Sequence, residues 1–122
     1  MKNILLVDDE KNFLLSLADM LKGNDADFKI KTANNGKEAA GIIDSESIDL
    51  VVTDLNMPEM DGVEMVDEMS RRGMLDVTPV VIVSTERSVT RMEELKSKGV
   101  SAYLRKPFTP ENIAEVMERI LD

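Results

Sequence analysis

An α/β protein built on an open, doubly wound sheet of five parallel strands is what this sequence predicts. Three observations carry the prediction. Five short aliphatic runs alternate with five amphipathic stretches along the chain. The runs are aliphatic or β-branched and mostly do not alternate with polar residues, which marks strands covered on both faces. Five such units are too few to close an eight-stranded barrel, so the sheet stays open with helices on both sides.

In chain order, Ile4 to Val7 reads as a buried first strand, followed by a helical stripe of Phe13, Leu14, Leu17 and Leu21. Phe28 to Ala33 is the second strand, and Ile30 between two lysines suits a sheet edge. Ala39, Ala40, Ile42 and Ile43 mark the second helix, and Leu50 to Thr53 the third strand. Val63, Val66 and Met69 stripe the third helix, Val80 to Val83 is the fourth strand, and Val89, Met92 and Leu95 stripe the fourth helix. Gly99 is placed to end that helix. Ala102 to Leu104 is the fifth strand. The last helix is the cleanest: Ile113, Val116, Met117, Ile120 and Leu121 follow the i, i+3, i+4, i+7, i+8 rule, with Thr109 as N-cap and Pro110 at the first helical position. The expected strand order is 2-1-3-4-5, the flavodoxin-like (βα)5 arrangement.

Composition narrows the chemistry. With 122 residues the chain has the size of one domain and can bury about two-thirds of its unfolded surface. It has no cysteine and no histidine, which excludes disulfides, thiolate metal sites, the usual zinc sites and Ser-His-Asp catalysis. A net charge of −9 argues against direct nucleic-acid binding and against anionic membranes, and suits a hard cation such as Mg2+. The N-terminal apolar run is too short for a signal peptide and ends in two aspartates, and no run approaches membrane-spanning length, so a cytoplasmic protein is expected. The nine methionines read as core filling.

In an open α/β sheet, ligands bind outside the carboxyl ends of the strands. Asp8 and Asp9 follow the first strand, Asp54 and then Asn56 the third, Ser84 and Thr85 the fourth, and Arg105 and Lys106 the fifth. Clustered carboxylates raise one another's pKa, and a divalent cation removes that conflict; an all-oxygen site with few protein ligands favours Mg2+. An ionised Asp beside such a cation can attack phosphorus, while a lysine and a hydroxyl hold the phosphoryl oxygens. Each residue also has an ordinary use. Asp8-Asp9-Glu10 are suitable helix-entry acids, Asp54 can open a turn toward Pro58, Ser84 and Thr85 can cap a helix, and Lys106 can be a solvated lysine. Their joint arrival at four strand ends is what favours a site for phosphoryl transfer to an aspartate.

With these residues placed, the whole chain, residues 1–122 as one domain, resembles the receiver domain of two-component response regulators. The motifs are Asp8-Asp9, Val51-Val52-Thr53-Asp54-Leu55-Asn56-Met57-Pro58-Glu59-Met60-Asp61-Gly62, Val83-Ser84-Thr85-Glu86 and Tyr103-Leu104-Arg105-Lys106-Pro107-Phe108. The resemblance implies that Asp54 accepts a phosphoryl group from a phosphohistidine on a sensor histidine kinase or phosphotransfer protein. It implies that Asp9 binds Mg2+ directly, Asp8 through water, and that Asp54 and the backbone carbonyl of Asn56 complete the ligands. Lys106 would contact a phosphoryl oxygen, Ser84 would swing in to it, and Tyr103 would rotate inward, changing the face made by helix 4, strand 5 and helix 5 for an output protein. The Lys106-Pro107 bond is expected to be cis, as in relatives.

Asn56 and Glu86 resemble the pair in chemotaxis regulators, whose phosphorylated state is short-lived, while Thr85 stands where the family usually has Ala or Gly and would narrow the path to Asp54. Met57 and Met60 flank the acceptor loop. The fourth helix carries more charge than a motor-binding face usually does, which speaks against a flagellar-switch partner, and the fifth lacks the charged signature of receivers that dimerise above a winged-helix domain. A monomer is expected. The chain ends at Leu121-Asp122, soon after the fifth helical pattern, so a stand-alone chemotaxis-type regulator is the leading expectation. The other receiver readings are a phosphorelay intermediate and the excised receiver of a larger regulator. Its chemistry would be self-catalysed phosphotransfer and dephosphorylation rather than that of an enzyme. An aspartyl-phosphate hydrolase of haloacid dehalogenase type needs a second Asp as acid/base where Asn56 stands, and Asn cannot serve as an acid. A receiver fold serving only as an interaction module would not need the full set of site residues found here.

Overall fold

A computed structural model describes residues 2–24, 28–55, 62–73, 78–85 and 89–121, and within these every side chain except those of 22–24, 62 and 63. The elements alternate strictly: β1 (Lys2–Val7), α1 (Lys11–Asn24), β2 (Phe28–Ala33), α2 (Gly36–Ser45), β3 (Leu50–Thr53), α3 (Gly62–Arg71), β4 (Val80–Ser84), α4 (Val89–Ser97), β5 (Ala102–Arg105) and α5 (Pro110–Leu121). All four strand pairings are parallel and the order is β2-β1-β3-β4-β5, as the sequence predicts. β3 and β4 are buried throughout, whereas β2 and β5, the edges, are only partly covered. Ile30 between Lys29 and Lys31 does lie on an edge strand.

Alternate residues of each strand feed two cores, because successive side chains point to opposite faces. On one face Leu5, Val7, Val51 and Ile82 meet Ala39 and Ile43 of α2, Met65, Val66 and Met69 of α3, and Leu95 of α4. On the other, Ile4, Leu6, Leu50, Val52, Val81 and Val83 meet Leu14, Leu17 and Leu21 of α1 and Ile113, Val116 and Met117 of α5. Each fully buried Leu or Ile contributes about 1.5–3 kcal/mol relative to exposure. The sheet grows from β1 to β2 on one side and then resumes at β3 on the other. The chain therefore reverses at β1/β3, and the crevice of an open α/β sheet opens at such a reversal.

Some expectations need correction. β1 begins earlier, at Lys2, and β4 and β5 each run one residue further, so Ser84 and Arg105 are the last residues of strands rather than the first beyond them. The stripe assigned to the fourth helix does not face the core as a unit. Leu95 is buried, Met92 is half-buried and Val89 is 63% exposed. The spacing explains it. Residues i and i+6 are separated by about 120° round a helix of 3.6 residues per turn, so a three-residue repeat drifts off the buried face. The side chain of Val63 lies outside those described.

The caps agree with the sequence. Thr109 Oγ1 accepts from the Asn112 N–H at 3.1 Å, and Asn112 Oδ1 accepts from the Thr109 N–H at 3.0 Å, a reciprocal cap on α5. Gly99 follows α4 at φ 112°, a conformation that favours glycine, and its N–H donates to the Lys96 carbonyl. Among the described residues no helix is long and apolar enough to cross a membrane. Thr109→Ala is expected to cost about 1 kcal/mol, read as a lower urea midpoint with an unchanged denaturant slope; an unchanged midpoint would show that the cap contributes nothing to folding.

Candidate functional site

Three polar residues are each the first beyond a strand, and each is pinned by one further rung of the sheet ladder. The Asp8 N–H donates to the carbonyl of Ala33, the last residue of β2, at 3.1 Å. The Asp54 N–H donates to that of Val7, the last of β1, at 3.0 Å. The Lys106 N–H donates to that of Ser84, the last of β4, at 2.8 Å. Parallel register thus brings residues far apart in sequence to one level at the carboxyl edge of the sheet.

Their side chains converge. Carboxylate oxygens of Asp8, Asp9 and Asp54 all lie within 4.8 Å of one another. Asp8 is 1% exposed and Asp54 9%, while Asp9 is exposed. Lys106 Nζ donates to Asp8 Oδ2 at 3.1 Å and stands 3.9 Å from Asp54 Oδ1. Asp8 also performs the ordinary local task, since its Oδ1 accepts from the Glu10 N–H at 2.9 Å just before α1 begins. The two uses are compatible because the carboxylate has two oxygens. Asp54 Oδ1 accepts from the Leu55 N–H at 2.9 Å, and Thr53 Oγ1 donates to the Asp54 carbonyl. Lys106 is not a solvated lysine, because only 17% of its side chain is exposed.

Burial pushes the Asp54 carboxyl above the usual carboxylate range. The Lys106 ammonium opposes that shift, Asp8 adds to it, the Leu55 N–H opposes it and Asp9 adds a further push. Three carboxylates against one ammonium leave net negative charge around hard oxygen donors. Asp8, Asp9 and Asp54 therefore fit a small divalent cation, which would relieve the repulsion that adds to the effect of burial on Asp54.

Ser84 is fully buried, and Thr85 beside it is exposed. Tyr103 is half-buried on β5, registered opposite Ile82, and packs on the core beneath α2, α3 and α4. The Lys106-Pro107 peptide is cis, as the resemblance implied. Asn56, Met57, Met60 and Glu86 lie outside the described residues. Two concavities, a small apolar one lined by Ala40, Ile43, Met65 and Met69 and a wide one lined by Glu64, Asp67, Arg71 and Lys98, include no residue of the acidic cluster.

One neighbour of the site was missed by sequence reasoning. Phe13 was assigned to the core stripe of α1, yet its ring lies under Lys106 Nζ, 3.8 Å from the centroid. The available signal was position, since Phe13 sits in the first turn of the helix that leaves β1 at the site.

A family model described as the response regulator receiver domain matches residues 4–118. The two-component response regulator ORR11 of rice (Oryza sativa subsp. indica) is 30% identical over 120 residues, 98% of this chain and 80% of that protein. The crystallised chemotaxis protein CheY4 of Vibrio cholerae is 31% identical, with 98% of each chain covered and a TM-score of 0.87. The response regulator TrrA of Thermotoga maritima, solved in complex with Mg2+-BeF, is 28% identical, with 98% of this chain and 99% of that one covered and a TM-score of 0.84.

The raised Asp54 carboxyl makes a stability prediction for the metal-free protein. A folded pKa above the unfolded one means that the native state binds more protons between the two values, so stability falls as pH rises through that window. Asp54→Asn removes this term. In chelator-containing buffer its melting temperature is expected to exceed that of the wild type at neutral pH, with the gap closing as pH falls below the ordinary carboxylate value. A gap that is absent at neutral pH, or that widens on acidification, would contradict the assignment.

Proposed function

The chain belongs to the response regulator receiver domain family, and on that premise we propose that it is a phosphoaccepting signalling switch whose acceptor is Asp54. The observation that carries the reading is the nearly buried Asp54 carboxylate, set among Asp8 and Asp9 and 3.9 Å from the Lys106 ammonium.

Asp8, Asp9 and Asp54, together with the backbone carbonyl of Asn56, would hold Mg2+; the acidic cluster and the Mg2+-BeF complex of TrrA support this. Bound there, the ion supplies positive charge that keeps the carboxylates ionised and offsets the charge of the phosphoryl oxygens. An Asp54 carboxylate oxygen attacks the phosphorus of a phosphohistidine. The new O–P bond forms as the N–P bond breaks, and the imidazole leaves with the electron pair. Lys106 turns from Asp8 to one phosphoryl oxygen and the Ser84 hydroxyl donates to another, where charge develops in transfer. Return to the resting state needs water to attack the same phosphorus, breaking the O–P bond and releasing inorganic phosphate with the Asp54 carboxylate restored. Asn56, Glu86 and the exposed Thr85 control that water, and the phosphorylated state lasts seconds to minutes.

The signal leaves through strand neighbours. The Lys106 N–H is bonded to the Ser84 carbonyl, and Tyr103 stands on β5 beside β4. Movement of Ser84 toward the phosphoryl group opens room for Tyr103 to turn inward, shifting the α4–β5–α5 face between two populations. The protein serves as a switch rather than an enzyme acting on a separate substrate. Its partners are a sensor histidine kinase or phosphotransfer protein and an output protein on that face. It acts as a cytoplasmic monomer of chemotaxis type, a reading that the likeness to CheY4 supports.

Incubation with acetyl phosphate, read by intact mass, is expected to give one phosphoryl adduct that requires Mg2+ and is lost in Asp54→Asn. An adduct that persists in that variant would overturn the acceptor assignment. Asp9→Ala is expected to weaken Mg2+ binding at least about tenfold, measured by calorimetry; unchanged affinity would remove Asp9 from the ligand set.

A further inference from the structure

Lys106 is held from a side that the phosphoacceptor reading does not use. Its ammonium faces Asp8 Oδ2 at 3.1 Å and Asp54 Oδ1 at 3.9 Å, and the centroid of the Phe13 ring lies 3.8 Å away. That is well inside the range over which an aromatic face attracts a cation. The ring is itself braced. Phe108, two residues beyond Lys106, meets Phe13 edge-on, with centroids 6.1 Å apart and planes at 87°. Two of the chain's three phenylalanines are thus committed to one lysine. Both are half-buried against the core shared by α1 and α5, so the contact joins α1 to the segment between β5 and α5.

We propose that Phe13 is a positioning residue for Lys106, its aromatic face holding the ammonium at the acidic cluster without an oxygen acceptor of its own, so that the N–H now given to Asp8 can turn to the incoming phosphoryl group. The choice of side chain follows from hydrogen-bond chemistry. An oxygen acceptor in the place of the ring would bind an ammonium N–H directly and compete with the phosphoryl oxygen. A leucine would exclude water as well but would not attract the charge. A π face attracts the cation with little directionality, so the ammonium can turn from Asp8 toward a phosphoryl oxygen without breaking a bond on that side. Edge-on packing of Phe108 fixes the plane of the ring.

This inference rests on the phosphoacceptor reading, and its test separates the two. Phosphorylation by acetyl phosphate would be followed under saturating Mg2+ for wild type, Phe13→Leu and Phe13→Tyr, with Mg2+ affinity measured alongside. The Phe13→Leu rate is expected to fall roughly threefold to thirtyfold, with Mg2+ affinity unchanged and Phe13→Tyr close to wild type. In a Lys106→Met background Phe13→Leu is expected to add no further loss, because its effect passes through Lys106. Phe13→Met replaces Phe13→Leu should the leucine variant not fold. A wild-type rate in Phe13→Leu, an equal loss in Phe13→Leu and Phe13→Tyr, or a full additional loss in the Lys106→Met background would each overturn the role. Independently of phosphate, the ε-methylene protons of Lys106 should show an upfield ring-current shift in NMR spectra that vanishes in Phe13→Leu; its absence from the wild type would overturn the contact itself. Absence of any adduct on the wild type would overturn the phosphoacceptor reading and this role with it, while the methylene shift would still register the contact.

Discussion

The site depends on the parallel ladder running one residue past the ends of the strands. Asp8, Asp54 and Lys106 have no closeness in sequence, yet each backbone N–H is tied to the last carbonyl of the neighbouring strand. Side chains alternate across a sheet, so a slip of one residue in any of these pairings would turn the functional side chain toward the wrong helix layer. The buried aliphatic residues of β1, β3 and β4 hold the register, because a slip would exchange them between two closely packed cores whose shapes they do not fit. Core packing and site geometry are therefore one constraint. The reversal of the chain between β1 and β3 adds the opening into which the acids project.

The electrostatics follow from that placement. A carboxylate taken from water and set beside two others is disfavoured in its charged form, and the single ammonium of Lys106 relieves only part of the conflict. Stability is given up locally at the acidic cluster, a pattern common at sites that bind cations or transfer groups. The compensating packing lies in the two cores on either side of the sheet. Lys106 occupies the centre of the arrangement, facing carboxylates on one side and an aromatic face on the other. Its cation offsets part of the negative charge of the cluster.

Much of this was legible in the sequence, for identifiable reasons. Strands buried on both faces leave unbroken aliphatic runs, so Leu50 to Thr53 and the core of β4 were plain. Chemistry at the carboxyl ends of strands then selected Asp8, Asp54 and Lys106 without coordinates, and the structure does bring them together. Val89 was misjudged because an i, i+3, i+6 repeat resembles a stripe in one dimension but drifts round a helix. Phe13 was seen only as core because an aromatic at helical spacing has the same sequence signature whether it packs on leucine or under an ammonium. That distinction depends on how far a lysine from another strand reaches, which no local pattern records.

The claim that the strand-end register makes Asp54 the acceptor is tested most directly by locating the acyl phosphate. Borohydride reduction of the phosphorylated protein converts an aspartyl phosphate to homoserine, and tandem mass spectrometry reads its position. Homoserine at position 54 alone is the expected result. Homoserine at position 8 or 9, or a phosphoryl group carried by a hydroxyl side chain and left intact by borohydride, would contradict it.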